Sequence, residues 1–195
     1  MSCCNQKIIA SLFSLLAMAF TPLCLMAETK YEIIGSIHDY IVPDVKVIRQ
    51  EGKKLDLLTE LDDGRPVILN FVFASCSAIC PMLSHTFSSI QTALNKAGKP
   101  FHLVSISIDP ENDTPAILTE YAKKFKAKHS NWDFYTSSME TRINLQKAFD
   151  AYRGDKMNHS AIILMRAKPG KRWHRLEGFA SADKVISEYN EMLKD

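Results

Sequence analysis

The chain has 195 residues, of which 46% are hydrophobic and 24% charged, and this length suits one well-packed domain better than two. Its 24 basic and 22 acidic residues leave a formal net charge of +2 without a long run of either sign. The charge pattern therefore gives no indication of binding to nucleic acid or to an anionic membrane surface.

The N-terminal segment is typical of a targeting sequence. Lys7 precedes an apolar run over residues 8–26, and polar residues follow from Glu28. Cleavage after Ala27 is expected, with residues 1–27 as the signal peptide and residues 28–195 as the exported domain. Because Leu25 is bulkier than the small residue usual at that position, an uncleaved N-terminal membrane anchor is the alternative.

Short strands and turns are predicted between residues 28 and 60. The pattern favours a β-hairpin around Gly52 that lies outside the main sheet and covers one of its edges. A polar turn, Asp62–Pro66, then leads into the next strand.

Residues 67–73 predict a strand buried on both faces, because the run is apolar and too short for a globular helix. Cys76 and Cys80 follow at the point where a helix begins, and Gly98 can end that helix. Unpaired N–H groups and the helix dipole lower a thiol pKa, so both sulfurs are expected to be thiolate-prone. The helix is indicated by apolar residues at helical spacing: Leu83, Phe87, Ile90 and Leu94.

The second half of the chain continues the alternation of predicted strands and helices. Residues 101–108 predict a strand parallel to the first, and Thr114 with Pro115 predicts a capped helix start. The further elements are a helix over 138–152, strands over 161–165 and 173–179 joined by a turn at 168–171, and a closing helix capped by Ser181. The predicted order is βαβα(α)ββα.

The five cysteines divide between the two segments. Cys3, Cys4 and Cys24 belong to the targeting segment, so Cys76 and Cys80 are the only thiols of the exported domain. In an oxidising compartment such a pair forms a structural disulfide, takes part in thiol-disulfide exchange or binds a soft metal ion. A structural disulfide is disfavoured, because a bond that encloses so few residues removes little chain entropy from the unfolded state.

The element order, with paired cysteines after the first core strand, resembles the thioredoxin fold. Four segments narrow the resemblance to the Sco (SenC) family, copper-binding assembly proteins of cytochrome c oxidase, over residues 43–194. They are FVFASCSAICP, SISIDPENDTPAILTEYAKKF, NHSAIILM, and EGFAS with its helix. The resemblance implies an α/β, thioredoxin-like fold, a central mixed β-sheet flanked by helices, with an N-terminal β-hairpin extension.

Two features depart from the family pattern. Asn158 precedes His159 where the family commonly has aspartate, and the 168–175 loop is more basic than usual. Thioredoxins proper match less well, because they have two residues between their cysteines and a proline in the facing loop. This chain has three residues between Cys76 and Cys80, and His159 occupies the loop that faces them.

The chemistry can also be argued from placement. Ligands collect beyond the carboxyl ends of parallel strands, which puts Cys76, Cys80 and Asp109 along one edge. His159 joins them if its strand runs antiparallel. Two sulfurs and one imidazole suit three-coordinate Cu(I), or Cu(II) with a weaker extra ligand, whereas structural zinc prefers four closed ligands.

Other candidates have simpler interpretations. Asp109 is expected to organise its loop through its side chain or to orient one of the metal ligands without contacting the ion. It is not itself a predicted metal ligand. His85 is expected to point away from the cysteines, and His102 starts its strand at the far end. Packing is the expected role of Trp173 and His174. It is also expected of Met82 and Met157, although their thioethers leave an axial role at a metal ion open.

The leading hypothesis is a periplasmic metallochaperone that holds one copper ion, Cu(I) or Cu(II), on Cys76, Cys80 and His159. Its expected partner is the copper-centre subunit of a haem-copper oxidase, with a periplasmic copper donor or thiol reductant as further candidates. The alternative is a thiol-disulfide oxidoreductase in which Cys76 and Cys80 are the redox-active pair and metal is not required. A thiol peroxidase is disfavoured, because Phe73 and Ser77 stand where its threonine is needed.

Overall fold

A computed structural model describes residues 32–194, so the predicted targeting segment lies outside the described residues. The strands are β1 (Ile34–His38), β2 (Lys46–Arg49), β3 (Lys54–Asp56), β4 (Val67–Val72), β5 (His102–Ser107), β6 (Trp132–Thr136), β7 (Ile162–Arg166) and β8 (Trp173–Glu177). The α-helices are α1 (Leu57–Leu61), α2 (Ile79–Lys96), α3 (Pro115–Lys124), α4 (Met139–Ala148) and α5 (Ala182–Met192). Within residues 32–194, every helix is too short or too polar to cross a membrane.

All eight strands form one mixed sheet in the order β1-β8-β7-β4-β5-β6-β2-β3. Strand β4 lies inside the sheet with all six residues buried, as its apolar run predicts. It pairs in parallel with β5, and β5 pairs in parallel with β6. The predicted strand-helix-strand crossover from β4 through α2 to β5 is therefore confirmed.

Strand β7 runs antiparallel to β4 on its other side. In this register Val67 lies opposite Arg166 and Asn70 lies opposite Ile163, so β7 begins where β4 ends. The segment that precedes β7, which contains His159, therefore reaches the same sheet edge as the carboxyl ends of β4 and β5. This meets the condition on which the predicted convergence depends.

The hairpin around Gly52 is present as β2 and β3, but the prediction that it lies outside the main sheet is wrong. Ile48 and Arg49 pair with Thr136 and Tyr135 of β6, so the hairpin extends the sheet. This pairing provides hydrogen-bond partners for β6 on the side that faces away from β5. The hairpin therefore covers an edge of β6 that would otherwise be unpaired. Gly52 has a φ of +88°, a conformation that favours glycine at this turn.

Three helices begin at serine or threonine caps, two of which, Thr114 and Ser181, the sequence predicts. Thr114 accepts a hydrogen bond from the Ile117 N–H at 3.3 Å, and Ser138 and Ser181 cap α4 and α5 in the same manner. Helix α2 contacts α5, and α3 packs beside β6. The predicted apolar face of α2 is buried at all four positions: Leu83, Phe87, Ile90 and Leu94.

Strand β6 and the short helix α1 are absent from the predicted order. Strand β6 has the sequence WDFYT, and all five residues are buried, including Asp133. An acidic residue argues against a buried strand, but this carboxylate is bound by His102 and His129. The predicted helix over 138–152 is also shorter in the structure, where α4 ends at Ala148.

Candidate metal centre

Cys76 and Cys80 lie on the connection between β4 and α2. Cys76 follows the strand in a turn, where its N–H donates to the Phe73 carbonyl at 3.1 Å. Cys80 lies in the first turn of α2, and its N–H donates to Cys76 Sγ at 3.5 Å. The N–H of Phe73 donates in turn to Cys80 Sγ at 3.4 Å. Each sulfur therefore accepts a hydrogen bond from one backbone N–H group.

His159 faces the two cysteines from the segment between a 3₁₀ turn, Lys156–Asn158, and strand β7. Its Nε2 atom lies 3.4 Å from Cys80 Sγ and 3.9 Å from Cys76 Sγ. The three donor atoms all lie within 4.8 Å of one another. Across residues 32–194, no other trio of His, Cys, Asp or Glu side chains comes close enough to share a metal ion.

The tautomer of His159 follows from its second ring nitrogen. Nδ1 lies 2.7 Å from the Lys156 carbonyl oxygen, which can only accept, so Nδ1 carries the proton. Nε2 therefore presents a lone pair to the sulfurs. Burial also lowers the pKa of His159, which keeps the imidazole neutral and able to bind a metal. The Phe73 and His159 rings also pack edge to face, with centroids 5.1 Å apart and an interplanar angle of 71°.

The donor spacing fits a small soft metal ion. Bonds of about 2.3 Å to sulfur and about 2.0 Å to imidazole nitrogen place the donors of a trigonal site roughly 3.5–4 Å apart. The two sulfur-to-nitrogen distances of 3.4 and 3.9 Å already lie close to that range. Two thiolates and one imidazole favour copper with an open position over a closed four-ligand zinc site.

The prediction that both sulfurs are thiolate-prone is wrong for Cys80 in the metal-free protein. Its side chain is fully buried, and the loss of hydration raises its thiol pKa despite the N–H donated by Phe73. The neighbouring Cys76 and Asp113 raise this pKa further. A metal ion must therefore displace a proton from Cys80 in order to bind.

A cleft of about 180 Å³ gives access to the donors. The partly exposed Cys76 and the buried His159 line this cleft, whereas Cys80 is fully buried beside them. Met157 lines the cleft and is 69% exposed, and Met82 is exposed on α2, so neither fills the core as expected of packing residues. The remaining lining residues are Phe73, Ser75, Ser77, Ala78, Ile79 and Lys156.

Asp109 is buried at the same edge and organises its loop, which is one of the two roles considered for it. Its backbone carbonyl accepts from the N–H groups of Asn112 and Asp113, and its carboxylate accepts from the Asn112 side chain, so it organises the loop after β5. The carboxylate also pairs with Lys156 Nζ at 2.5 Å, next to the histidine segment. Asp109 is not one of the three grouped donors.

Sequence reasoning missed Lys156 and Asp113. Asp113 accepts hydrogen bonds from the Ala74 N–H and the Ser107 hydroxyl, which ties the cysteine segment to β5. Its position just before a helix cap, in a loop at the ligand-binding edge, was an available signal. No local pattern marks Lys156, whose partner is distant in the sequence.

The other three histidines considered as candidates lie away from the cysteines, as predicted. The exposed His85 packs against Phe125 on the outside of α2. His102 is buried at the amino end of β5 between Asp63 and Asp133. In the β7–β8 hairpin, Trp173 is buried and His174 pairs with Glu188 at 3.0 Å, which supports a packing role.

Comparisons with known proteins agree on one family. The family model described as SCO1/SenC matches residues 38–194. The SCO1 protein homolog of Bacillus subtilis (strain 168) is 28% identical over 159 residues, which cover 77% of this chain and 81% of that protein.

Solved structures have the same fold. BsSco, described as a member of the Sco family of cytochrome c oxidase assembly proteins, has a TM-score of 0.69 and 27% identity over 83% of this chain and 98% of its own. Arabidopsis thaliana ScoI with copper bound has a TM-score of 0.67 and 23% identity over 79% of this chain and 98% of its own. Because the family model spans most of the chain and all three grouped donors, this thioredoxin-like protein belongs to the SCO1/SenC family.

Proposed function

We propose that the protein is a periplasmic copper chaperone that binds one copper ion per chain through Cys76, Cys80 and His159. Its target is the copper-centre subunit of a haem-copper oxidase, to which it delivers the ion. The observation that carries the proposal is the convergence of two sulfurs and an unprotonated Nε2 at a cleft that Cys76 and His159 line. The copper-bound state of a structural neighbour and the assembly role printed for BsSco support the choice of metal and partner.

The open coordination position is what a delivery function requires. Three donors satisfy Cu(I), and the cleft leaves room for a ligand from a partner protein to approach the ion. Cu(II) would take such a further ligand as part of its own coordination. We propose that residues 1–27 direct export, as a cleaved signal peptide or a retained anchor.

Copper content measured together with thiol protection tests the proposed site. Protein purified without air and incubated with Cu(I) is expected to hold one copper per chain, with Cys76 and Cys80 both protected from alkylation. Mass spectrometry of the peptide that contains both cysteines separates them from thiols of the N-terminal segment. Alkylation of both residues at the same rate with and without copper would contradict the proposal.

Acid is expected to weaken copper binding in two stages. Burial raises the pKa of Cys80, so binding releases its proton throughout the neutral range and affinity falls roughly tenfold per pH unit from this group. Burial lowers the pKa of His159 from 6.5, so a further roughly tenfold fall per pH unit begins below that value. Competition titrations across pH check both slopes. The His159→Ala variant should lack the second stage, and a profile identical to the parent would remove His159 from the ligand set.

A second candidate function is thiol-disulfide exchange. Cys76 is partly exposed at the cleft and Cys80 is buried beside it, which is the asymmetry of an attacking and a resolving thiol. In this reaction the dithiol gives two electrons and two protons to a partner disulfide, and a Cys76–Cys80 disulfide forms. The disulfide switch named for BsSco supports this candidate.

A further inference from the structure

Lys156 joins the two loops that border the cleft. Its Nζ lies 2.5 Å from Asp109 Oδ2, and the Asp109 side chain is only 3% exposed. The same ammonium lies 5.6 Å from the centroid of the Phe73 ring, within the range of a cation–π contact. The side chain of Lys156 is therefore held by groups from the β5 loop and from the end of β4.

The backbone of Lys156 holds His159. Its carbonyl oxygen accepts from His159 Nδ1 at 2.7 Å and from the His159 backbone N–H at 3.2 Å. The 3₁₀ turn is capped at its start by Asp155, whose carboxylate accepts from the Met157 N–H at 2.8 Å. The carbonyl that sets the histidine tautomer thus belongs to the residue whose side chain is anchored to Asp109.

We propose that Lys156 is a positioning residue for His159. The ion pair to Asp109 fixes the 3₁₀ turn, the turn aims the Lys156 carbonyl at Nδ1, and Nε2 is thereby kept proton-free and directed at the two sulfurs. Outer partners of this kind orient metal-binding histidines and strengthen binding without touching the ion. The inference deepens the proposed copper site and rests on it.

A through-space effect of the lysine charge on the thiolates is the competing explanation. The ammonium is matched by a buried carboxylate at 2.5 Å, so the pair carries little net charge toward the sulfurs. The two explanations differ in their dependence on His159. Positioning acts only through the histidine, whereas a field effect on the thiolates persists without it.

The test compares Lys156→Met with Lys156→Arg, which keeps a cation for Asp109. Lys123→Met is the matched control, since Lys123 is an exposed lysine that pairs with Glu120 on α3. In reduced, metal-free protein, ¹⁵N spectra of His159 should show the Nδ1–H tautomer in the parent, Lys156→Arg and Lys123→Met proteins. Lys156→Met should show a mixture. An unchanged His159 tautomer in Lys156→Met would overturn the inference.

The second readout is Cu(I) affinity, measured by competition with a chromophoric chelator. The Cu(I) affinity of Lys156→Met is expected to fall roughly 10- to 100-fold, the range typical when a residue that orients a metal ligand is lost. Lys156→Arg should retain most of the parental affinity. In a His159→Ala background, Lys156→Met should cause no additional loss. An equal loss in both backgrounds would overturn positioning in favour of a field effect.

A further variant separates positioning from misfolding. Lys156→Met leaves the Asp109 carboxylate buried without its cation, so the Asp109→Asn/Lys156→Met double variant removes both charges together. This folded double variant should lose as much affinity as the single variant, and parental affinity would contradict the proposal. Failure of the parent itself to bind Cu(I) would instead refute the proposed function, and the tautomer spectra would still decide the role of Lys156.

Discussion

Oxidation of Cys76 and Cys80 to a disulfide is expected to abolish tight Cu(I) binding. Both sulfurs are proposed ligands, they lie no more than 4.8 Å apart, and a disulfide leaves no thiolate to coordinate the ion. The loss should exceed about 100-fold, more than the loss of an outer partner causes, because two of three donors are removed at once. Copper binding and disulfide formation should therefore exclude each other.

The measurement is a Cu(I) competition titration of reduced and oxidised protein from one preparation. Re-reduction of the oxidised sample is the control and should restore the original affinity. Cys76→Ser and Cys80→Ser variants should bind weakly under either condition. Equal Cu(I) affinity before and after oxidation would be incompatible with a site made of two thiolates.

His159→Ala is expected to prevent oxidase copper-centre assembly in cells nearly as completely as loss of either cysteine. Copper delivery uses all three donors, whereas thiol exchange needs an attacking and a resolving sulfur but no imidazole. The variant therefore separates the two candidate functions, which changes in the cysteines alone cannot do. Oxidase activity in cells is the readout, with the protein at matched levels and copper kept limiting so that excess metal does not bypass delivery.

His85→Ala is the matched control, because His85 is an exposed histidine on the outer side of α2 and packs against Phe125. Cells with this variant should retain parental oxidase activity. Parental activity in His159→Ala cells, beside inactive cysteine variants, would favour thiol reduction over copper delivery.

The central part of the fold could be predicted because its signals are local. An apolar run too short for a helix indicates β4, and the caps predicted at Thr114 and Ser181 are present in the structure. The predicted helix start at Ser138 is present as well. These features depend on the residues of one segment and their immediate neighbours. Strand β4 and the starts of α3, α4 and α5 were therefore predicted correctly.

Elements that depend on distant partners could not be predicted in this way. Strand β6 carries the buried Asp133, and only the folded chain brings His102 and His129 to its carboxylate. The position of the β2–β3 hairpin likewise depends on pairing with β6. Local polarity and turn signals contain no information about these contacts.

The candidate site also combines features that the sequence predicts with features that depend on tertiary contacts. Its three donors were predicted from the cysteine spacing, the His-Ser segment and the family resemblance, on condition that β7 runs antiparallel to β4, as it does. The Lys156–Asp109 ion pair and the raised pKa of Cys80 arise from tertiary contact and burial. The sequence therefore indicated which side chains meet, but not how they are oriented and protonated.

X-ray absorption spectroscopy of the Cu(I)-loaded protein tests the copper site most directly. The account predicts two sulfur neighbours at about 2.3 Å and one nitrogen neighbour at about 2.0 Å. The nitrogen contribution should be replaced or lost in His159→Ala and unchanged in His85→Ala. A spectrum without sulfur neighbours, or one that His159→Ala leaves identical to the parent, would contradict copper coordination by Cys76, Cys80 and His159.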